Sequence, residues 1–196
     1  IISDKASIDY YTGVIFDPME RFWLLIIQPE KDPQIIANKL FVFDELAGVD
    51  VTWVDDNYTI VEAFANLADF PATDAPLRIG VDKLWRADQL LAIAKTYNQA
   101  IFEVGSDLVD AQRAIKTAEE QEKMRKASDI NDRAMARLIE EVLPLGLDEL
   151  AAVDELARIY DEEGADAGFS FEPIIAYGPN GADPHHESDH TLPKRG

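Results

Sequence analysis

The sequence predicts an α/β chain in two parts, a mixed-sheet α/β domain followed by a helical part that ends in a strand and a turn. Two observations carry this. From residue 22 to residue 104, short apolar runs alternate with stretches of helical spacing, the pattern of a partly parallel sheet with crossover helices. From residue 117 the pattern changes to long amphipathic stretches with explicit caps, followed by an apolar run and a polar turn.

The elements follow in order. Ile1 to Gly13 reads as the end of a strand, a polar turn and a short helical turn. Phe22 to Ile27 is an unbroken apolar run bounded by Glu20, Arg21 and Pro29, the signature of a strand buried on both faces. Pro33 to Ala37 predicts another strand, Lys39 to Phe43 a short element after it, and Val51 to Val54 a further strand. Thr59 to Leu67 has helical spacing through Ile60, Phe64 and Leu67; Phe70 to Pro76, with Pro71 and Pro76, is a loop. Leu77 to Val81 and Ala100 to Val104 are strands around a helix from about Arg86 to Tyr97, with Leu90, Leu91, Ile93 and Ala94 toward a core. The α/β part runs to about Val109. It contains no G-x-G-x-x-G and no G-x-x-x-x-G-K, so a nucleotide-binding reading has no support.

Thr117 and Glu120 have the spacing of a capping box. Met124, Ala127, Ile130, Ala134, Leu138 and Val142 then recur every three or four residues, one face of a helix of roughly seven turns. Pro144 and Gly146 end it. Asp148 caps a second helix, with Leu150, Val153, Leu156, Ala157 and Tyr160 on its buried side and Gly164 at its end. Phe171 to His186 then reads as a strand through Ile174, Ile175 and Tyr177, a tight turn through Gly178, Pro179, Asn180 and Gly181, and the pair His185 and His186.

Composition limits the function. The chain has 196 residues, 47% hydrophobic, enough for a real core. Its formal net charge of −20 opposes binding to nucleic acid or anionic membranes. There is no cysteine, hence no disulfide frame or thiolate chemistry, which fits a cytoplasmic protein. No apolar run approaches the roughly 20 residues that span a bilayer. Asp183, His185, His186, Glu187, Asp189 and His190 form a dense polar cluster. His186 and His190 would share one face of a helix, but Pro184 and the turn composition argue against a helix, and a solvated loop is the plainer reading of that pair. Tyr10 and Tyr11 read as packing at a core edge.

Three blocks of the sequence together resemble one family. Ser3, Asp4, Ile8, Tyr10, Tyr11, Thr12 and Gly13 fit [ST]-D-x-x-x-[IL]-x-Y-[LY]-[ST]-G. Arg113, Ile115, Lys116, Thr117, Glu120, Met124, Arg125, Lys126 and Ala127 fit R-x-I-K-[ST]-x-x-E-x-x-x-[ML]-[RK]-x-[AS]. Phe171, Ile174, Ile175, Ala176 and Gly178 fit F-x-x-I-[IV]-A-x-G; Ala182, Pro184 and His185 fit A-x-P-H; Ser188, Asp189 and Leu192 fit S-D-x-x-[IL], with Gly196 opening a Gly-Asp step. In order and spacing these resemble the prolidase and aminopeptidase P family of pita-bread metallopeptidases.

The resemblance implies a creatinase-like mixed-sheet α/β domain over residues 1–112, and over 113–196 the first helices and strand of an α+β pita-bread domain. It implies hydrolysis of the Xaa-Pro bond in dipeptides or short peptides, a homodimer through the N-terminal domain, and two divalent ions (manganese, cobalt or zinc). The family's metal ligands would lie past Gly196, so none is assigned here and the chain by itself is expected to be inactive. His185 stands at the family's motif histidine, which approaches the substrate near the scissile amide; it is the expected catalytic and substrate-binding residue. Two other readings remain open at this point: a creatinase-type, metal-independent C–N hydrolase, and a non-catalytic binding module of the same shape.

Overall fold

The computed structural model describes residues 1–15, 17–44, 46–65 and 76–194. The chain divides into two compact units, Ile1–Ile115 and Lys116–Gly196.

The first unit begins with Ile2 bridged to Leu25. Helix α1, Lys5–Thr12, is capped by Asp4, whose carboxylate accepts the Ser7 N–H at 3.0 Å and the Ser7 hydroxyl at 2.6 Å. Gly13, at φ 70°, ends it in the left-handed region that glycine enters without penalty. Strand β1, Trp23–Ile26, is antiparallel to β2, Gln34–Asn38, and β2 is parallel to β3, Asp50–Val54. All of β1 is buried because successive side chains enter different cores. Leu24 and Ile26 join Ile36, Val54, Phe64, Ile79, Val81 and Ile93. Trp23 and Leu25 join Ile2, Ile8, Ile35 and Ala37.

Helix α2 is Ile60–Ala65. Leu67 and residues 70–75 of the predicted loop lie outside the described residues. Strands β4, Arg78–Val81, and β5, Ile101–Val104, pair in parallel around α3, Ala87–Thr96, and α4, Ser106–Ala114, follows.

Two expectations for this unit change. Lys39 to Phe43 forms no helix or strand; Asn38 folds the chain back by accepting the Leu40 N–H on Oδ1 and the Phe41 N–H on its carbonyl. Leu91 points to solvent at 68% exposure, because the buried line of α3 runs through Gln89 and Ile93, one helical turn apart. Gln89 tolerates burial by accepting the Trp85 indole N–H at 2.9 Å. Tyr10 and Tyr11 stack edge to face, half exposed, and the Tyr11 hydroxyl meets Gln112.

The second unit opens with the capping box. Thr117 Oγ1 accepts the Glu120 N–H, and the Glu120 carboxylate accepts the Thr117 N–H. Helix α5, Ala118–Arg137, continues as a π-helical turn, Leu138–Val142, and a 3-10 turn, Leu143–Leu145, before Gly146 stops it at φ 66°. Ile130, Ala134, Leu138 and Val142 are buried, but Met124 and Ala127 at the start of the same face are exposed. Helix α6, Glu149–Glu162, is shorter than α5 and packs along part of it. The buried line of α6 is Glu149, Ala152, Leu156 and Ile159, about one residue round from the expected face, so Leu150 is exposed. Among the described residues no helix is long and apolar enough to cross a membrane.

The expected strand at Phe171–Tyr177 does not form. No described strand lies beside it, and its backbone bonds to side chains instead. Ser188 Oγ accepts the Ile175 N–H and donates to the Ile175 carbonyl, both at 3.0 Å, and the Tyr177 N–H goes to Glu149. A 3-10 turn, Gly178–Ala182, supplies the predicted polar turn, with Gly178 at φ 57°.

Candidate functional site

The candidate site is the segment 175–191 where it lies on the N-terminal end of α6. A helix start leaves backbone N–H groups without intrahelical partners. Here the segment's own carbonyls serve two of them: Thr191 accepts from Glu149 and Asp189 accepts from Leu150. Asp148 takes a third on its Oδ1, the Ala151 N–H at 2.8 Å.

Glu149 is the centre of this contact and is fully buried. Its Oε1 accepts the Tyr177 N–H at 2.7 Å and the Asn180 side-chain amide at 2.9 Å. Its Oε2 accepts the Asp189 N–H at 3.0 Å and His186 Nε2 at 2.7 Å. An ionised carboxylate only accepts, so His186 carries a proton on Nε2. Burial by itself would push the Glu149 pKa up. The bonds from Asp189, Tyr177, His186 and Asn180 outweigh that and hold it down at about 2. The same bond to Glu149 raises the pKa of His186. Beside it, His190 Nδ1 meets Asp148 Oδ2 at 2.9 Å, which raises the His190 pKa, while the Ala151 N–H and then His190 lower that of Asp148.

His185 differs from its neighbours. Its backbone N–H donates to Asp183 Oδ1 at 2.9 Å. Its imidazole is exposed and has no hydrogen-bond partner among the described residues. The six-residue polar cluster of the sequence therefore does not converge on one point. The solvated-loop reading fails for His186, which is largely buried against Glu149, and holds for His190, which stays exposed while its ring meets the Asp148 cap; Glu187 is exposed. Glu149 was missed in the sequence. The available signal was an acidic residue immediately after the Asp148 cap, a position that faces whatever covers the helix start.

Glu149, His186 and Asp189 also bring a carboxylate oxygen, an imidazole nitrogen and a second carboxylate oxygen within 4.8 Å of one another. The trio does not fit a metal ion. Each Glu149 oxygen already accepts two hydrogen bonds, and His186 Nε2 is spent on one of them. An ion would have to break the contacts that hold the segment in place.

Residues 122–196 match the family model Metallopeptidase family M24. Over that stretch the chain is similar to this metallopeptidase family. A crystal structure of recombinant prolidase from Thermococcus sibiricus matches at TM-score 0.80 and 25% identity, over 100% of this chain and 53% of that one. Dipeptidase PepE from Mycobacterium ulcerans matches at TM-score 0.80 and 25% identity, over 98% and 52%. A probable dipeptidase PepE from Mycobacterium tuberculosis is 26% identical over 95% of this chain and 49% of its own length. The chain thus spans about half the length of the relatives it matches, and its α/β fold is that of the corresponding half of the prolidase and PepE structures.

Proposed function

We propose that this chain contributes the His185 loop to the active centre of a peptidase that hydrolyses Xaa-Pro bonds in dipeptides or short peptides. The observation that supports this is the isolation of His185. Around it the polar side chains of His186, Asn180, Ser188 and His190 are all engaged, while its imidazole stays exposed and unbonded in the A-x-P-H setting. An imidazole held this way can donate to a carbonyl oxygen that gains negative charge, or protonate the departing proline nitrogen. The names of the relatives, prolidase and dipeptidase, point to the same substrate class.

The two divalent ions of the proposed reaction, manganese, cobalt or zinc, find no fitting ligand set among the described residues, so no step is assigned to them here. The 196-residue chain alone is expected to show no Xaa-Pro hydrolysis with any of these ions added. In the whole protein His185→Ala should lower kcat by about 10²-fold or more, the usual scale for a proton-transferring side chain, with the unfolding midpoint unchanged. Wild-type turnover in that variant would overturn the assignment. A homodimer through the first unit and a cytoplasmic location are part of the same proposal; sedimentation of the whole protein tests the first.

A further inference from the structure

We propose that Glu149 is a positioning residue: through its two carboxylate oxygens it clasps the segment that carries His185 and fixes where that imidazole stands. The proposal rests on the reading of His185 as the substrate-facing group.

The geometry carries it. The four groups bonded to Glu149 lie on both sides of His185: Tyr177 and Asn180 precede it, His186 and Asp189 follow it. His185 is one residue from a bonded imidazole and four from a bonded backbone N–H, so its Cα has little room to move while the clasp holds. Glu149 is itself rigid. It sits in the first turn of α6, fully buried, next to the Asp148 cap, and its backbone N–H is bonded to Thr191 of the same segment. The clasp meets one part of a general requirement of reactive groups, that the backbone carrying them be held by surrounding hydrogen bonds. The carboxylate joins a helix start to residues 28, 31, 37 and 40 positions away in sequence.

The clasp is also pH-sensitive through His186. The charged groups that face His186 are Glu149 from α6 and Asp183 and Asp189 from its own segment. All are acidic, so the imidazolium form is favoured and its loss weakens the contact.

Amide hydrogen exchange on the 196-residue chain, with NMR titration of the histidines, tests this. Glu149→Gln should raise exchange at the Tyr177 and Asp189 amides at least tenfold and leave the Ile130 and Ala134 amides of α5 within about twofold. It should also shift the His186 titration downward, which general loosening would not do selectively. Unchanged exchange at Tyr177 and Asp189 would overturn the proposal, and so would an equal rise throughout α5 and α6. If Glu149→Gln does not fold, His186→Ala decides: it removes one of the four donors, and the Asp189 amide must lose protection or the proposal fails. His185→Ala should leave exchange as in the wild type. Failure of the peptidase reading would then appear as normal turnover in His185→Ala with the clasp results intact, whereas failure of the clasp would appear in exchange alone.

Discussion

Replacing Ser188 by alanine removes the hydroxyl that stands in for a strand partner of Ile175. The hydroxyl makes two bonds to that one residue, accepting its N–H and donating to its carbonyl, both at 3.0 Å. Ile175 is buried, at 8% exposure, in the core of the second unit with Ala134, Leu138 and Leu156. Its backbone groups therefore have little access to replacement water. A hydrogen bond contributes about 0.5–1.5 kcal/mol net, so two give about 1–3 kcal/mol. If this energy is lost locally, the Ile175 amide should exchange about 5- to 150-fold faster. Urea unfolding followed by circular dichroism should show the second unit weakened by the same amount. Tryptophan fluorescence provides an internal reference, since Trp23, Trp53 and Trp85 all lie in Ile1–Ile115. The reasoning is refuted if the Ile175 amide exchanges at the wild-type rate: the segment would then be held by α6 alone and the hydroxyl would be incidental.

Other changes should separate in the same way. Thr117→Ala removes the side-chain half of the capping box and should cost about 1 kcal/mol in urea unfolding of the second unit. Ile93→Ala empties a fully buried position in the first core and should cost about 2–5 kcal/mol by tryptophan fluorescence; Leu91→Lys on the exposed side of the same helix should stay within about 0.5 kcal/mol. The Glu149 clasp should have a pH window. The lowered pKa of Glu149 gives stability that is complete above about 4.5, the value of an unfolded glutamate, and is lost as pH falls toward about 2. The raised pKa of His186 gives stability that is complete below about 6.5 and is lost as pH rises through its folded value. Protection factors at the Tyr177 and Asp189 amides should therefore be highest between about pH 4.5 and 6.5 and fall on either side.

Local signals were legible in the sequence because they act over a few residues. Thr117 with Glu120, and Asp148 with Gly164, mark helix ends by side-chain chemistry and backbone freedom, and each lies where it was read. The apolar run of β1 was legible for the same reason, since a strand buried on both faces has to be continuously apolar. The misreadings share one cause: they depend on what lies opposite. Leu91 is as apolar as Ile93, and only Ile93 lies on the side that meets Phe64, Ile79 and Val81. Met124 continues the α5 face but is exposed. Phe171–Tyr177 has the composition of a strand, yet a strand needs a ladder, and here the ladder is replaced by Ser188 and Glu149.

The site shows why a motif does not by itself identify its reactive residue. Within the third block, Ser188 binds the backbone of Ile175, Asp189 gives its N–H to Glu149, and Gly178 takes a positive φ at the turn. These are needed to build the loop, and their removal should be read in stability. His185 is bound by its backbone and not by its side chain. An exposed side chain with no hydrogen bond among the described residues, between the bonded groups of Asn180, His186 and Ser188, can be altered with little loss of stability. That separation makes the assignment decidable. Ser188→Ala should lower stability, and activity only as the loop loosens; His185→Ala should do the reverse. If both variants lost stability equally, the loop would be a structural cover for α6 and the proposed role of His185 would fall.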